Sequence, residues 1–175
     1  MFKIIVTALT VVVAAILIMA ATRPDSFRVE RSIRVSAPPE KIFHYVNDFH
    51  QWGVWSPYEK LDPSMKRTFG GAAAGKGAVY EWDGNSKAGQ GRMEIIDSDE
   101  PARIVIKLDF IKPITGHNRA TFNFRPAGSG TQVTWSMDGP TPYIAKLMGL
   151  FFNMDRLIGA DFESGLANLA AVSAT

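Results

Sequence analysis

The sequence predicts an α+β domain in which an antiparallel sheet packs on one long C-terminal helix, carried behind a separate apolar helix. Three observations lead there. The run Ile4 to Ala21 holds eighteen residues without a charge, a Gly or a Pro. Over much of the stretch from Phe27 to Gly139, apolar residues fall on alternate positions, the period of half-buried strands. Beyond Thr141-Pro142 the period becomes that of an amphipathic helix.

The apolar run would extend ~27 Å as a helix, close to the thickness of a bilayer's hydrocarbon core. Its only polar side chains are Thr7 and Thr10, too few for the polar stripe of a domain helix. A retained anchor and a cleaved signal peptide both fit. The anchor is the better fit, because the run is long for a signal and Met19-Ala20-Ala21 is a poor Ala-x-Ala site. Residues 1–22 are thus expected to be a transmembrane anchor, 23–26 a linker and 27–175 the soluble domain. A short N-terminal tail with one Lys reads as a signal anchor in the cytoplasmic membrane, with the domain on its outer side. Arg23, Arg28, Arg31 and Arg34, just past the helix, argue for the reverse orientation.

In the soluble part, Phe27, Val29, Ile33 and Val35 alternate with Arg28, Glu30, Ser32 and Arg34, and only Arg31 breaks the apolar row. Ser36-Ala37-Pro38-Pro39-Glu40 reads as a helix start, followed by Ile42, Phe43, Val46 and Phe49 at helical spacing. Gln51 to Pro57 forms a second short turn or helix. Six strands follow. They are marked by Lys66–Phe69, then Ala78/Tyr80/Trp82, Met93/Ile95, Ile104/Ile106/Leu108/Phe110, Ala120/Phe122/Phe124 and Val133/Trp135/Met137. The last element is read as one helix, with Ile144, Leu147, Met148, Phe151, Ile158, Phe162, Leu166 and Leu169 along one stripe. Gly149, Gly159 and Gly165 each cost such a helix about 1 kcal/mol relative to Ala. They predict close backbone approach or built-in softness. A curved sheet cannot bury its whole face on one helix, so a pocket is expected between them, plugged at one end by the short helices.

Composition removes several function classes. The nineteen Lys and Arg are scattered among seventeen acids, for a net charge of +2, which leaves no basic footprint for nucleic acid. There is no cysteine, hence no disulfide, thiol nucleophile or Cys-type zinc or iron–sulfur site. The three histidines, His44, His50 and His117, lack metal-ligand spacing, so no metal and no cofactor is expected.

The segment Ala37-Pro38-Pro39-Glu40-Lys41-Ile42-Phe43, the aromatic stretch Trp52-Gly53-Val54-Trp55-Ser56-Pro57, and Gly130-Thr131-Gln132-Val133-Thr134-Trp135 together resemble the START-like (SRPBCC) superfamily. The likeness is to its bacterial polyketide cyclase/dehydratase branch and covers about residues 27 to 172. It implies a helix-grip fold, a seven-stranded sheet wrapped around the C-terminal helix with a ligand cavity between them. A fold hosts many chemistries and does not by itself fix one.

The first expectation is a membrane-anchored domain that binds a hydrophobic small molecule or lipid without catalysis. The expected lining from the sheet is Tyr80, Trp82, Met93, Leu108, Phe110, Phe122, Phe124 and Trp135, and from the last helix Met148 and Phe151. His117 and Asn118 are the candidate polar groups that orient a head group. The second is a cyclase- or dehydratase-type enzyme using His117 with Asp109 or Tyr80 as acid and base. The third is an interaction module in an envelope assembly. Glu81, Arg92 and Glu94 are expected to face water. Trp52, Trp55 and Tyr58 form either a gate to the cavity or a plug packed on the sheet, and the area each Trp buries favours the plug. Tyr143, Leu147, Leu150, Phe151, Phe152 and Met154 cover more than one stripe, so part of that surface needs a second partner.

Overall fold

The computed structural model describes residues 1–174. Helix α1 (Phe2–Ala21) is the one helix among the described residues long and apolar enough to cross a bilayer. After the linker come β1 (Ser26–Val35), α2 (Pro39–Asn47), two 3-10 turns (Phe49–Val54 and Pro57–Lys60), and the strands β2 (Lys66–Gly71), β3 (Ala78–Asp83), β4 (Gln90–Asp99), β5 (Arg103–Lys112), β6 (Gly116–Ala127) and β7 (Gly130–Pro140). The chain closes with α3 (Tyr143–Met148) and α4 (Met154–Ala174).

The seven strands form one antiparallel sheet in the order β1-β7-β6-β5-β4-β3-β2. Every neighbour except the β1–β7 pair is consecutive in sequence, so the sheet is a meander whose first strand returns beside the last. The period-two pattern places one face inward: Val29, Val35, Ile95, Ile104, Ile106, Phe122 and Val133 are each at most 2% exposed. Helix α4 lies across this face and buries Phe162, Leu166 and Leu169. Trp135 is stacked between Phe162 (4.0 Å, 9°) and Phe122 (4.9 Å, 26°), tying helix to sheet through aromatic faces.

Arg31, the charged exception on the apolar side of β1, reaches α4. Its guanidinium donates to Glu163 (2.8 Å), to both carboxylate oxygens of Asp155 (3.0 and 3.2 Å) and to the Asp155 carbonyl (3.0 Å). It crosses where α4 has Gly159, and a Cβ there would stand 2.0 Å from Nη2. Gly165 serves the same end, because a Cβ there would come within 2.8 Å of Trp135 and 3.0 Å of Pro57. Two of the three glycines are therefore close approaches.

The third marks a correction. The expected single C-terminal helix is two: α3 ends at Gly149, and residues 149–153 break the path before α4 begins. Phe151 and Phe152, in the break, are 68% and 56% exposed. The apolar stripe continues through this stretch, which is why periodicity alone reads it as helix. Helix α3 turns instead toward α1: the Tyr143 hydroxyl donates to the Leu17 carbonyl (2.9 Å), and Lys146 pairs with Asp25 of the linker.

Candidate functional site: an apolar cavity between sheet and helix

The sheet's inner face is filled at one end only. There Trp52 and Trp55 (centroids 4.9 Å apart) pack on Phe122, and Trp55 meets Trp135 edge-on at 5.7 Å. Their indole N–H groups donate to carbonyls of α2, Trp52 to Val46 and Trp55 to Tyr45, both at 3.0 Å. The aromatic cluster packs on the sheet, and its Trp52 and Tyr58 also stand on the wall of the adjoining cavity. Beside the cluster the sheet, the second 3-10 turn, α3 and α4 enclose a cavity of about 390 Å³, within the ~300–1,000 Å³ usual for small-molecule sites.

The expected lining divides. Tyr80, Trp82, Met93, Leu108, Phe110, Asn118, Trp135 and Met148 stand on the cavity wall. Phe122, Phe124, Phe151 and His117 do not. Phe122 faces inward but lies under the plug, and Phe124 packs edge-on against Phe43 of α2 at 5.5 Å. Phe151 lines an adjoining, more polar cleft of about 600 Å³ between the linker and the α3–α4 break, which shares Phe27, Pro140, Ala145, Met154 and Ile158 with the cavity and also carries Arg23, Lys146 and Asp155. His117 cannot join Asn118, because successive residues of a strand point to opposite faces. Its ring is 71% exposed and bonds Asp109, its cross-strand partner, at 2.7 Å. The expected His117–Asp109 pair forms, but not on the cavity wall. Partial burial raises the Asp109 carboxyl, and hydrogen bonds from His117 and Lys107 outweigh it, so the group sits below its ordinary range. Glu81, Arg92 and Glu94 form ion pairs on the outer face, as expected.

The cavity's own polar cluster lies elsewhere. Glu59, in the second 3-10 turn, accepts the Tyr80 hydroxyl at 2.5 Å on one carboxylate oxygen and Arg67 Nε at 2.6 Å on the other. Arg67 belongs to the edge strand β2 and is held by the carbonyls of Met65 (2.7 Å) and Glu59 (3.2 Å). Burial, then the adjacent Glu59 carboxylate, push the Tyr80 phenol well up, so it remains a protonated donor at any physiological pH. Sequence reasoning missed Glu59 because a 3-10 turn has no period to read. The available signal was its place directly after Ser56-Pro57-Tyr58.

Two further polar groups belong to wall residues. Ser56 Oγ and Trp135 Nε1 are buried without a hydrogen-bond partner in the protein. Such a group costs about 1–3 kcal/mol when left unmet. Among the described residues, no cluster of three His, Cys, Asp or Glu is placed to hold a metal ion.

The fold and cavity define a class, the α+β helix-grip proteins, in which an antiparallel sheet and a C-terminal helix enclose an apolar space. The chain belongs to the polyketide cyclase / dehydrase and lipid transport family, whose model matches residues 26–174. Similar solved structures include a Chromobacterium violaceum protein at 17% identity and TM-score 0.60, covering 86% of this chain and 98% of that one. A Thermobifida fusca protein matches at 25% identity and TM-score 0.61, covering 82% and 90%. The di-domain ARO/CYC BexL from the BE-7585A biosynthetic pathway matches at 15% identity and TM-score 0.63, over 90% of this chain and 53% of that one. No curated protein matches the chain.

Proposed function

We propose that the chain is a membrane-tethered container that binds a hydrophobic small molecule or lipid and does no chemistry on it. One observation carries this reading: the rim of the apolar cavity is built partly from α3, the element docked on the apolar helix α1. Met148 and Met154, beside the α3–α4 break, and Ile114, in the β5–β6 turn, are on the cavity rim and are 40%, 45% and 54% exposed. If α1 is retained in a bilayer, Leu17 lies within its last turns and Tyr143 sits at the interface, a depth that suits its apolar ring and polar tip. A ligand can then pass between bilayer and cavity without crossing water. Apolar contact supplies the affinity at ~25 cal/mol per Å² buried.

Native mass spectrometry of the full chain released from gentle detergent tests this. A discrete bound mass of lipid size is the expected result, and a chain that carries none under any loading condition overturns it.

A second reading is supported by the Tyr80–Glu59 bond, in a fold shared with the ARO/CYC neighbour. In it Tyr80 serves as acid and Glu59 as base in a cyclisation or dehydration. A bound compound that is converted by the wild type, and bound but left unchanged by Tyr80→Phe, would select that reading.

A further inference from the structure

We infer that the cavity takes an uncharged amphiphile with a hydroxyl head, bound head-first against Glu59 and Tyr80, and rejects the matching carboxylate. This rests on the container reading and adds the chemical class of its ligand.

Among the described residues the cavity lining includes no Lys, Arg or His, and Glu59 is its single charged side chain. The one counter-ion nearby, Arg67, is already committed, with Nε on Glu59 Oε2, Nη2 on the Glu59 carbonyl and Nη1 on the Met65 carbonyl. An anionic head group would meet a carboxylate and no free cation in a place of low dielectric. Like charges there repel strongly, and a buried unpaired charge is costly.

A carboxylate offers about four lone-pair sites, and Glu59 uses two, for Tyr80 and for Arg67 Nε. The Tyr80 oxygen donates to Glu59 and still has lone pairs to accept a bond. A ligand hydroxyl can donate to either oxygen; a ligand carboxylate can donate to neither.

Tyr80 and Trp52 are 3% and 5% exposed and the Glu59 side chain 10%, whereas Met148, Met154 and Ile114 on the rim are between 40% and 54%. Glu59 and Tyr80 thus belong to the buried part of the wall, and Met148, Met154 and Ile114 to its solvent-open part. A head-first ligand therefore leaves its tail along Trp82, Met93, Leu108 and Phe110 toward the rim.

The test uses the full chain in phosphatidylcholine nanodiscs doped with equal amounts of hexadecanol and hexadecanoate, at alkaline pH where the acid is ionised. The bound amphiphile is then weighed by native mass spectrometry. The expected result is hexadecanol over hexadecanoate by roughly tenfold or more, about the discrimination a single like-charge contact supplies. Glu59→Gln keeps an acceptor for Tyr80 and removes the charge, so the ratio should fall toward one. Tyr80→Phe keeps the charge, so hexadecanol binding should weaken while hexadecanoate stays excluded; this arm and the wild-type ratio decide the matter if Glu59→Gln does not fold. Equal uptake of both amphiphiles by the wild type overturns the inference and leaves the container reading standing. A preference unchanged in Glu59→Gln overturns the assignment to Glu59. Uptake of neither overturns the container reading and the inference with it.

Discussion

The two ends of the sheet–helix sandwich are built from similar apolar residues and reach opposite outcomes. At the plug end, Trp52, Trp55, Phe122, Trp135 and Phe162 pack at centroid distances of 4.0 to 6.3 Å, and Trp52, Trp135 and Phe162 also form part of the cavity wall. At the cavity end, Met93, Leu108 and Met148 line a space of about 390 Å³. The difference is not hydrophobicity. The plug end is covered by α2 and the first 3-10 turn, whereas the cavity is bounded by the second 3-10 turn, by α4 and by α3, which is turned toward α1. Stability should therefore concentrate at one end and binding at the other.

The largest expected effect is at the plug. Trp55→Ala removes a fully buried ring and its bond to the Tyr45 carbonyl, and should cost about 3–5 kcal/mol in urea unfolding. Phe151→Ser at the α3–α4 break, where the ring is 68% exposed, should stay within about 0.5 kcal/mol. Similar losses from the two substitutions would break the comparison.

Gly165→Ala comes next. Its Cβ would press on Trp135 at 2.8 Å and on Pro57 at 3.0 Å, both rigid rings held by the plug. Overpacking of this kind costs about 1–3 kcal/mol, read as a lower thermal midpoint. The opposite addition, Leu108→Trp, extends a partly buried side chain into the cavity. It should leave the unfolding midpoint nearly unchanged and lower ligand uptake by about tenfold, the value of ~1.4 kcal/mol of lost contact. Lost stability with unchanged uptake would mean that the cavity end is core after all.

What was legible in the sequence follows from the same contrast. Strands with one face in a core repeat every two residues, so the sheet and its inward set could be read from residues such as Ile104, Ile106 and Ala120. That rule also forbade placing His117 beside Asn118 in one cavity, and the error came from treating the pair as a unit. The depth of Phe122 and Phe124 was not legible, because alternation gives the face of a residue and not its position along the strand relative to α2. The α3–α4 break was hidden by an apolar stripe that runs through it. Glu59 and Arg67 meet from a 3-10 turn and an edge strand, and only tertiary contact makes them a pair.

The smallest effect is electrostatic and lies between the two ends, where Arg31 joins β1 to α4. Hydrogen bonds and charge from Arg31 hold the Asp155 carboxyl below its usual range, against a smaller opposing push from desolvation. A carboxyl depressed in the folded state contributes stability above its unfolded pKa and loses it as pH falls through the folded value. The contribution should thus be intact at neutral pH and fade below about pH 4. The pair is solvent-facing, with the Asp155 side chain 59% exposed, so the effect should be modest and weakened by salt. Arg31→Met keeps the side-chain length beneath Gly159 and removes the charge. Its thermal midpoint should start below that of the wild type at neutral pH and converge toward it in acid. Parallel curves across that window would mean that Arg31 holds α4 by packing alone, and that the charge on β1 serves neither end.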